Sequence, residues 1–209
     1  MTDSPATLSP APPSRRELNK AATRDAIAGA ALQFLRTKAL NEFTVDEVAA
    51  AAGVSRRTFF NYFSSVEAAV ASFTQRYLDS VIVDLDARPA AEPLLESAQY
   101  ALSNGGNPRD LALLAEIFAL TQDPALGRFQ LQAWEECTVK ITAVARHRLP
   151  ADTDELYLNT LVGAVTGSCK AAFSVWLSQR GPDTSEESLA HLRSLLDTTI
   201  SLIRNGFSS

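Results

Sequence analysis

Apolar residues recur at three- and four-residue intervals along most of the chain, and no stretch sustains the two-residue alternation of a half-buried strand. Ile27, Ala30, Ala31, Phe34 and Leu35 share one face of a helix that the spacing predicts over about 20–36. Thr44, followed three residues later by Glu47, predicts a capping box and a helix over about 45–52. That helix must be short, because Gly53 follows and accepts the positive φ of a helix end at no steric cost. Ser55 caps a helix predicted over about 56–62, and Phe59 and Phe63, four apart, face the core. Ser64 with Glu67 forms another capping box, opening a longer helix through Val70, Phe73 and Tyr77 to Leu85, ended by Pro89 and Pro93. Five more helices are predicted over about 93–103, 108–121, 124–149, 154–179 and 185–204. Their breaks fall at the Gly105-Gly106 stretch, at Asp123-Pro124, at Pro150 and at Gly181-Pro182. The pattern predicts an all-α chain of about nine helices.

Composition agrees with this and adds boundaries. The 209 residues are 46% hydrophobic and 21% charged, enough apolar material for a sizeable core. Four of the ten prolines fall within residues 1–14, so 1–19 is expected to be a disordered tail. A first domain is then expected over 20–66 and a second over 67–209. No apolar run approaches the roughly 20 residues of a membrane span, and no apolar signal segment opens the chain. A cytoplasmic protein without a membrane partner is the expectation. The net charge of −5 is unevenly spread. Residues 15–63 carry eight Lys/Arg against five Asp/Glu, whereas 64–209 carry eleven against eighteen. A basic head on an acidic body suits a head that meets polyanions.

The stretch from Phe43 to Val70 carries the candidate chemistry. Two short capped helices joined by a Gly turn have the build of a helix-turn-helix, whose second helix enters the major groove of DNA. That helix holds Arg56, Arg57, Thr58 and Asn61. Arg reads guanine bidentately, Asn reads adenine, and Thr meets phosphate or a thymine methyl. Ser55 and the helix start offer donors to a phosphate, as does the Tyr62 hydroxyl. Lys20 and Arg24, with Arg15 and Arg16, form a basic arm near the same phosphates.

The region from about Ala21 to Phe73 resembles the DNA-binding domain of the tetracycline-repressor (TetR) family of transcriptional regulators. The residues that carry the likeness are Phe43-Thr44-Val45, Ala51-Ala52-Gly53-Val54-Ser55 and Thr58-Phe59-Phe60-Asn61-Tyr62-Phe63. The resemblance implies phosphate contacts from Thr44, Thr58 and Tyr62, and base contacts from around Ser55 to Asn61. Two positions depart from the usual pattern: Phe60 replaces a tyrosine and Val66 a lysine. Fewer phosphate contacts weaken binding and flatten its salt dependence.

One head covers about half of a typical operator, so a homodimer is expected. Its contacts are expected from the last two helices at Leu161, Val165, Cys169, Leu192, Leu196 and Ile203, with Gly163 and Gly167 permitting close approach. The resemblance also implies a small-molecule effector among the middle helices. Phe118, Phe129, Trp134, Phe173 and Trp176 are the expected wall, with Gln130, Glu135 and Thr138 as polar contacts. The effector is expected to be hydrophobic or acyl-like, and its binding to tilt the 64–85 helix and release the double-stranded operator.

Catalytic groupings are lacking in the sequence. His147 and His191 stand alone, Cys137 and Cys169 have no ligand partner at metal spacing, and Gly105-Gly106 lacks the Lys-Ser/Thr sequel of a phosphate loop. The expectation is a ligand-released repressor that is not an enzyme, with no catalytic residue, no metal and no cofactor besides the effector.

Overall fold

The structure is a computed structural model that describes residues 14–120 and 124–207. Of the tail expected over 1–19, residues 1–13 lie outside the described residues. Among the described residues there are nine α-helices, one 3-10 turn at Leu40–Glu42, and no strand. The helices are α1 Arg15–Leu35, α2 Val45–Ala51, α3 Arg56–Tyr62, α4 Val66–Asp86, α5 Leu94–Asn104, α6 Pro108–Leu120, α7 Pro124–Arg148, α8 Glu155–Arg180 and α9 Glu186–Arg204. Two boundaries differ from the sequence pattern. Helix α1 starts at Arg15 because Ser14 and Glu17 form a capping box, so the basic residues before Lys20 are helical. Helix α4 starts at Val66, which moves its cap position from Ser64 to Ser65.

The chain divides into two compact units, one ending at Val66 and the other beginning at Glu67. In the first, α1 packs on α2 and α2 on α3. Ile27, Ala31, Leu32, Val48, Ala49 and Phe59 are almost wholly buried. Phe34 stacks on Phe43 at 5.0 Å between centroids, and Phe59 meets Phe63 at 6.3 Å. Gly53 makes the turn, with φ +69°, where a side chain would be strained. The Val54 N–H then donates to the Ala49 carbonyl at 2.9 Å, closing the turn onto α2.

In the second unit α8 is central, packing on α7, α9 and α6, while α9 also covers α5. Its core joins Tyr77, Leu111, Leu114, Phe173, Trp176 and Leu192. Trp176 is fully buried, and its indole N–H donates to the Ser188 carbonyl and hydroxyl at 3.1 and 3.0 Å. Arg148, at the end of α7, ties down the α4–α5 connection. Its guanidinium donates to the carbonyls of Leu85, Pro89 and Glu92 and to the Ser97 hydroxyl, at 2.8–3.2 Å. Beside it Glu92 accepts from Arg88 Nε at 2.9 Å and from the Ser97 hydroxyl at 2.6 Å.

Candidate nucleic-acid interface and internal cavity

Helix α3 owes its position to its own short sequence. Ser55 accepts a hydrogen bond from the Thr58 N–H at 3.0 Å, which starts the helix, and its Oγ lies 2.8 Å from the Thr58 hydroxyl. Phe59 and Phe63 turn inward. The opposite face must then point outward, and Arg56, Arg57, Phe60 and Asn61 are exposed, with Thr58 and Tyr62 half-buried. Arg57 and Asn61 lie one turn apart, and neither side chain has a hydrogen bond or ion pair among the described residues. Arg56 pairs with Asp46 of α2 at 2.7 Å, and its guanidinium lies 5.4 Å from the centre of the Phe60 ring. Both partners of that pair are about three-fifths exposed (60% and 62%), so it contributes little to stability.

The remaining predicted contacts sit around this face. Thr44 caps α2, accepting from the Glu47 N–H at 3.3 Å and donating its hydroxyl to the Glu47 carboxylate at 2.9 Å. The Thr44 N–H donates to the same carboxylate at 2.8 Å, and this bond foremost, with that of the hydroxyl, holds the Glu47 carboxyl below its ordinary range. Lys20 is exposed on α1. Arg24 is exposed too, but it bends back over the end of α3, 4.4 Å from the Phe63 ring centre and 3.5 Å from the Tyr62 carbonyl. It braces α3 and is not a free arm. Val66, where a lysine was the usual residue, is buried.

The second unit holds an apolar cavity of about 60 Å³ between α4, α5, α7 and α8, with Leu196 of α9 at its edge. Of the expected wall residues, Trp134 and Phe173 line it. Phe118 instead lines a separate recess with Trp134, Gln130, Arg128 and Lys170. Phe129 lines neither of these, and Trp176 is spent on packing and on Ser188. Glu135 is exposed, and Thr138 donates to the Trp134 carbonyl within its own helix. Missed by the sequence reading are Tyr77 and Leu78 of α4 and Leu94, Leu95 and Ala98 of α5. Their signal was present as an apolar stripe on each helix, but no local motif marks which stripe faces a void. Cys137 and Cys169 also line the cavity, and burial pushes both thiols up to about 12. They stay protonated and packed.

The expected dimer contacts need correction. Cys169, Leu192 and Leu196 are core residues of the same chain, 5% exposed or less, so a partner surface does not reach them. Leu161 and Val165 are half-buried on the cavity wall, and Ile203 is half-buried beside Leu156 and Tyr157. The surface that α8 does present is another stripe: Leu156, Thr160, Gly163, Gly167, Ala171 and Val175. It carries no charge, and a Cβ on Gly163 or Gly167 would meet nothing within 4 Å. Helix α8 is also apolar and long enough to cross a membrane, a length-and-composition test that core helices pass as well. Its Leu158, Val162, Phe173 and Trp176 are buried in the protein.

Residues 27–73 match the tetR family of bacterial regulatory proteins, and residues 101–208 match the MftR C-terminal domain. A mycofactocin biosynthesis transcriptional regulator, MftR, of Mycobacterium tuberculosis is 22% identical over 179 residues, 83% of this chain and 89% of its own. The HTH-type transcriptional regulator TcmR of Streptomyces glaucescens is 27% identical over 78% of this chain and 77% of its own. The crystal structure of the TetR-family repressor FadR of Thermus thermophilus, in complex with lauroyl-CoA, superposes with a TM-score of 0.53 at 22% identity. It covers 89% of this chain and 95% of FadR.

Proposed function

The chain belongs to the TetR family of bacterial transcriptional regulators, and from that premise we propose that it is a dimeric repressor released from its operator by a small hydrophobic or acyl-type ligand. The observation that carries the DNA half is the pair Arg57 and Asn61, exposed and unspent on a short helix fixed by its own cap and core. Arg57 suits a guanine edge and Asn61 an adenine edge, while Thr44, Ser55, Thr58 and Tyr62 border them as phosphate contacts. The uncharged α8 stripe supports the dimer, since two such faces bury each other without desolvating a charge. Two recognition helices then address half-sites about 34–36 Å apart.

The cavity supports the switch by being too small. About 60 Å³ holds a few waters, so any occupant of ligand size must part the helices around it. Such a ligand prefers the widened state, and this difference in affinity is what a release mechanism needs. Helix α4 lines the cavity, and its first residue, Val66, is the last of the DNA-binding unit. An acyl chain suits the apolar wall, and FadR takes lauroyl-CoA. An anionic head on such a chain would find Arg128 and Lys170 in the recess that shares Trp134 with the cavity.

The test starts with duplexes selected from random sequence for binding. Their affinity is then measured without ligand, with lauroyl-CoA and with dodecanoate. At least one ligand should weaken binding tenfold or more; equal affinities in every arm would remove the support for release by an acyl-type ligand. Gly167→Arg should halve the mass seen by sedimentation and abolish operator binding together. A wild-type protein that stays monomeric at high concentration would refute the dimer.

A further inference from the structure

The recess that shares Trp134 with the cavity differs from it in kind. It is open to solvent and holds about 390 Å³, within the range of small-molecule sites, whereas the cavity holds about 60 Å³. Helices α6, α7 and α8 build it, with Phe118, Leu131 and Trp134 as its apolar wall. Phe118 and Trp134 both pack on Phe173, at 5.4 and 6.2 Å between centroids, so the recess opens on the edge of an aromatic cluster. Arg128 and Lys170 bring two cations, and among the described residues no Asp or Glu lines the recess. Lys170 Nζ lies 5.6 Å from the centre of a Trp134 ring. Neither the Lys170 nor the Arg128 side chain has a hydrogen bond or ion pair among the described residues.

Gln130 is the most unusual group of this wall. It is 8% exposed, yet its carboxamide has no hydrogen-bond partner among the described residues. Neither amide atom is among the fully enclosed unpartnered ones, so the carboxamide keeps some surface, and the residue lines the recess. A polar side chain so deeply buried and still unpaired asks for a partner. Arg128 and Lys170 are donors only and suit an anion, whereas the carboxamide both donates and accepts and suits a hydroxyl, which does the same. The aromatic edge suits a further ring.

We propose that the recess is a binding site in its own right, for a small aromatic carboxylate that bears a hydroxyl. Arg128 and Lys170 take the carboxylate, Phe118 and Trp134 flank the ring, and the Gln130 carboxamide pairs with the hydroxyl. This goes beyond the acyl-ligand reading, because such a molecule fits an open recess and needs no chain inside the cavity.

The test titrates the three hydroxybenzoates, benzoate and cyclohexanecarboxylate calorimetrically into full-length wild type, Gln130→Leu and Lys170→Met. In wild type the tightest hydroxybenzoate should bind about tenfold more tightly than benzoate. Benzoate should bind about fivefold more tightly than cyclohexanecarboxylate. Gln130→Leu should close the first gap and leave benzoate within about twofold, and Lys170→Met should weaken all five carboxylates about tenfold. A Gln130→Leu protein that loses benzoate as strongly as the hydroxybenzoates would overturn the hydroxyl contact, as would benzoate matching every hydroxybenzoate in wild type. Equal binding of benzoate and cyclohexanecarboxylate would overturn the aromatic class. If wild type binds none of the five while lauroyl-CoA still releases the operator, this inference fails and the acyl reading stands. Hydroxybenzoate binding that depends on Gln130, without any effect of lauroyl-CoA or dodecanoate, would support the recess and remove the acyl reading.

Discussion

In the unit that ends at Val66 the polar side chains of interest stand outside a small core, whereas in the unit that begins at Glu67 the candidate site lies within the core. Arg57 and Asn61 project from a seven-residue helix whose cap, core face and turn are all set within about twenty residues of sequence. The cavity takes its apolar wall from five helices, and no single helix carries a motif that marks it. An external site can change its side chains without disturbing packing. An internal one trades ligand affinity against stability at every position.

The sharpest way to break this contrast is to remove the external contacts. Arg57→Ala with Asn61→Ala should cost about a hundredfold to a thousandfold in operator affinity. The unfolding midpoint should stay within about 0.5 kcal/mol of wild type, since both side chains are exposed and unpaired. A comparable loss of stability would show that α3 is held by these residues and not by Phe59 and the Ser55 cap.

The same contrast explains what was legible in the sequence. Thr44 with Glu47, Gly53 and Ser55 act on neighbours a few positions away, so motif spacing was enough to place α2, α3 and the outward face of α3. The Ser14–Glu17 cap escaped notice because a proline-rich stretch precedes it, and α1 gained a turn. In the body, apolar periodicity located the helices but not which apolar face meets which neighbour. Cys169, Leu192 and Leu196 read as a surface stripe, yet they pack against α4 and α7 residues distant in sequence. Gly163 and Gly167 were legible as points of close approach, but not the stripe they share with Leu156, Thr160, Ala171 and Val175, because small residues contribute little hydrophobicity. Its signal was the lack of charge at i, i+4 and i+7.

Arg148 probes the internal side of the contrast. Met in its place keeps much of the aliphatic stem and removes four donated bonds from the α4–α5 connection. The expected cost is about 3 kcal/mol, because bonds from a charged donor are worth more than neutral ones and two of the three freed carbonyls, those of Leu85 and Glu92, are part-buried. Both tryptophans, Trp134 and Trp176, lie in this unit, so urea unfolding followed by their fluorescence reports the body alone. An unshifted midpoint would mean that the connection is held by Leu85 and Leu94 packing and not by the guanidinium.

The smallest effect concerns acid. Hydrogen bonds from Arg88 and Ser97 hold the Glu92 carboxyl down at about 2. A carboxylate whose folded value is depressed stabilises the fold above its unfolded value of 4.5, and that stabilisation is lost as pH falls through the folded value. The pH window therefore runs from about 4.5 down to about 2. Glu92→Gln should be less stable than wild type at neutral pH, and the gap should close as the pH drops through that window. Glu47 of the head is also lowered, by Thr44, so whole-protein acid unfolding mixes the two units. Tryptophan fluorescence separates them. A gap between wild type and Glu92→Gln that stays constant from neutral pH to about 2 would show that the Glu92 contacts act through shape rather than charge. The α4–α5 connection would then depend on packing, as the α3 helix does in the head.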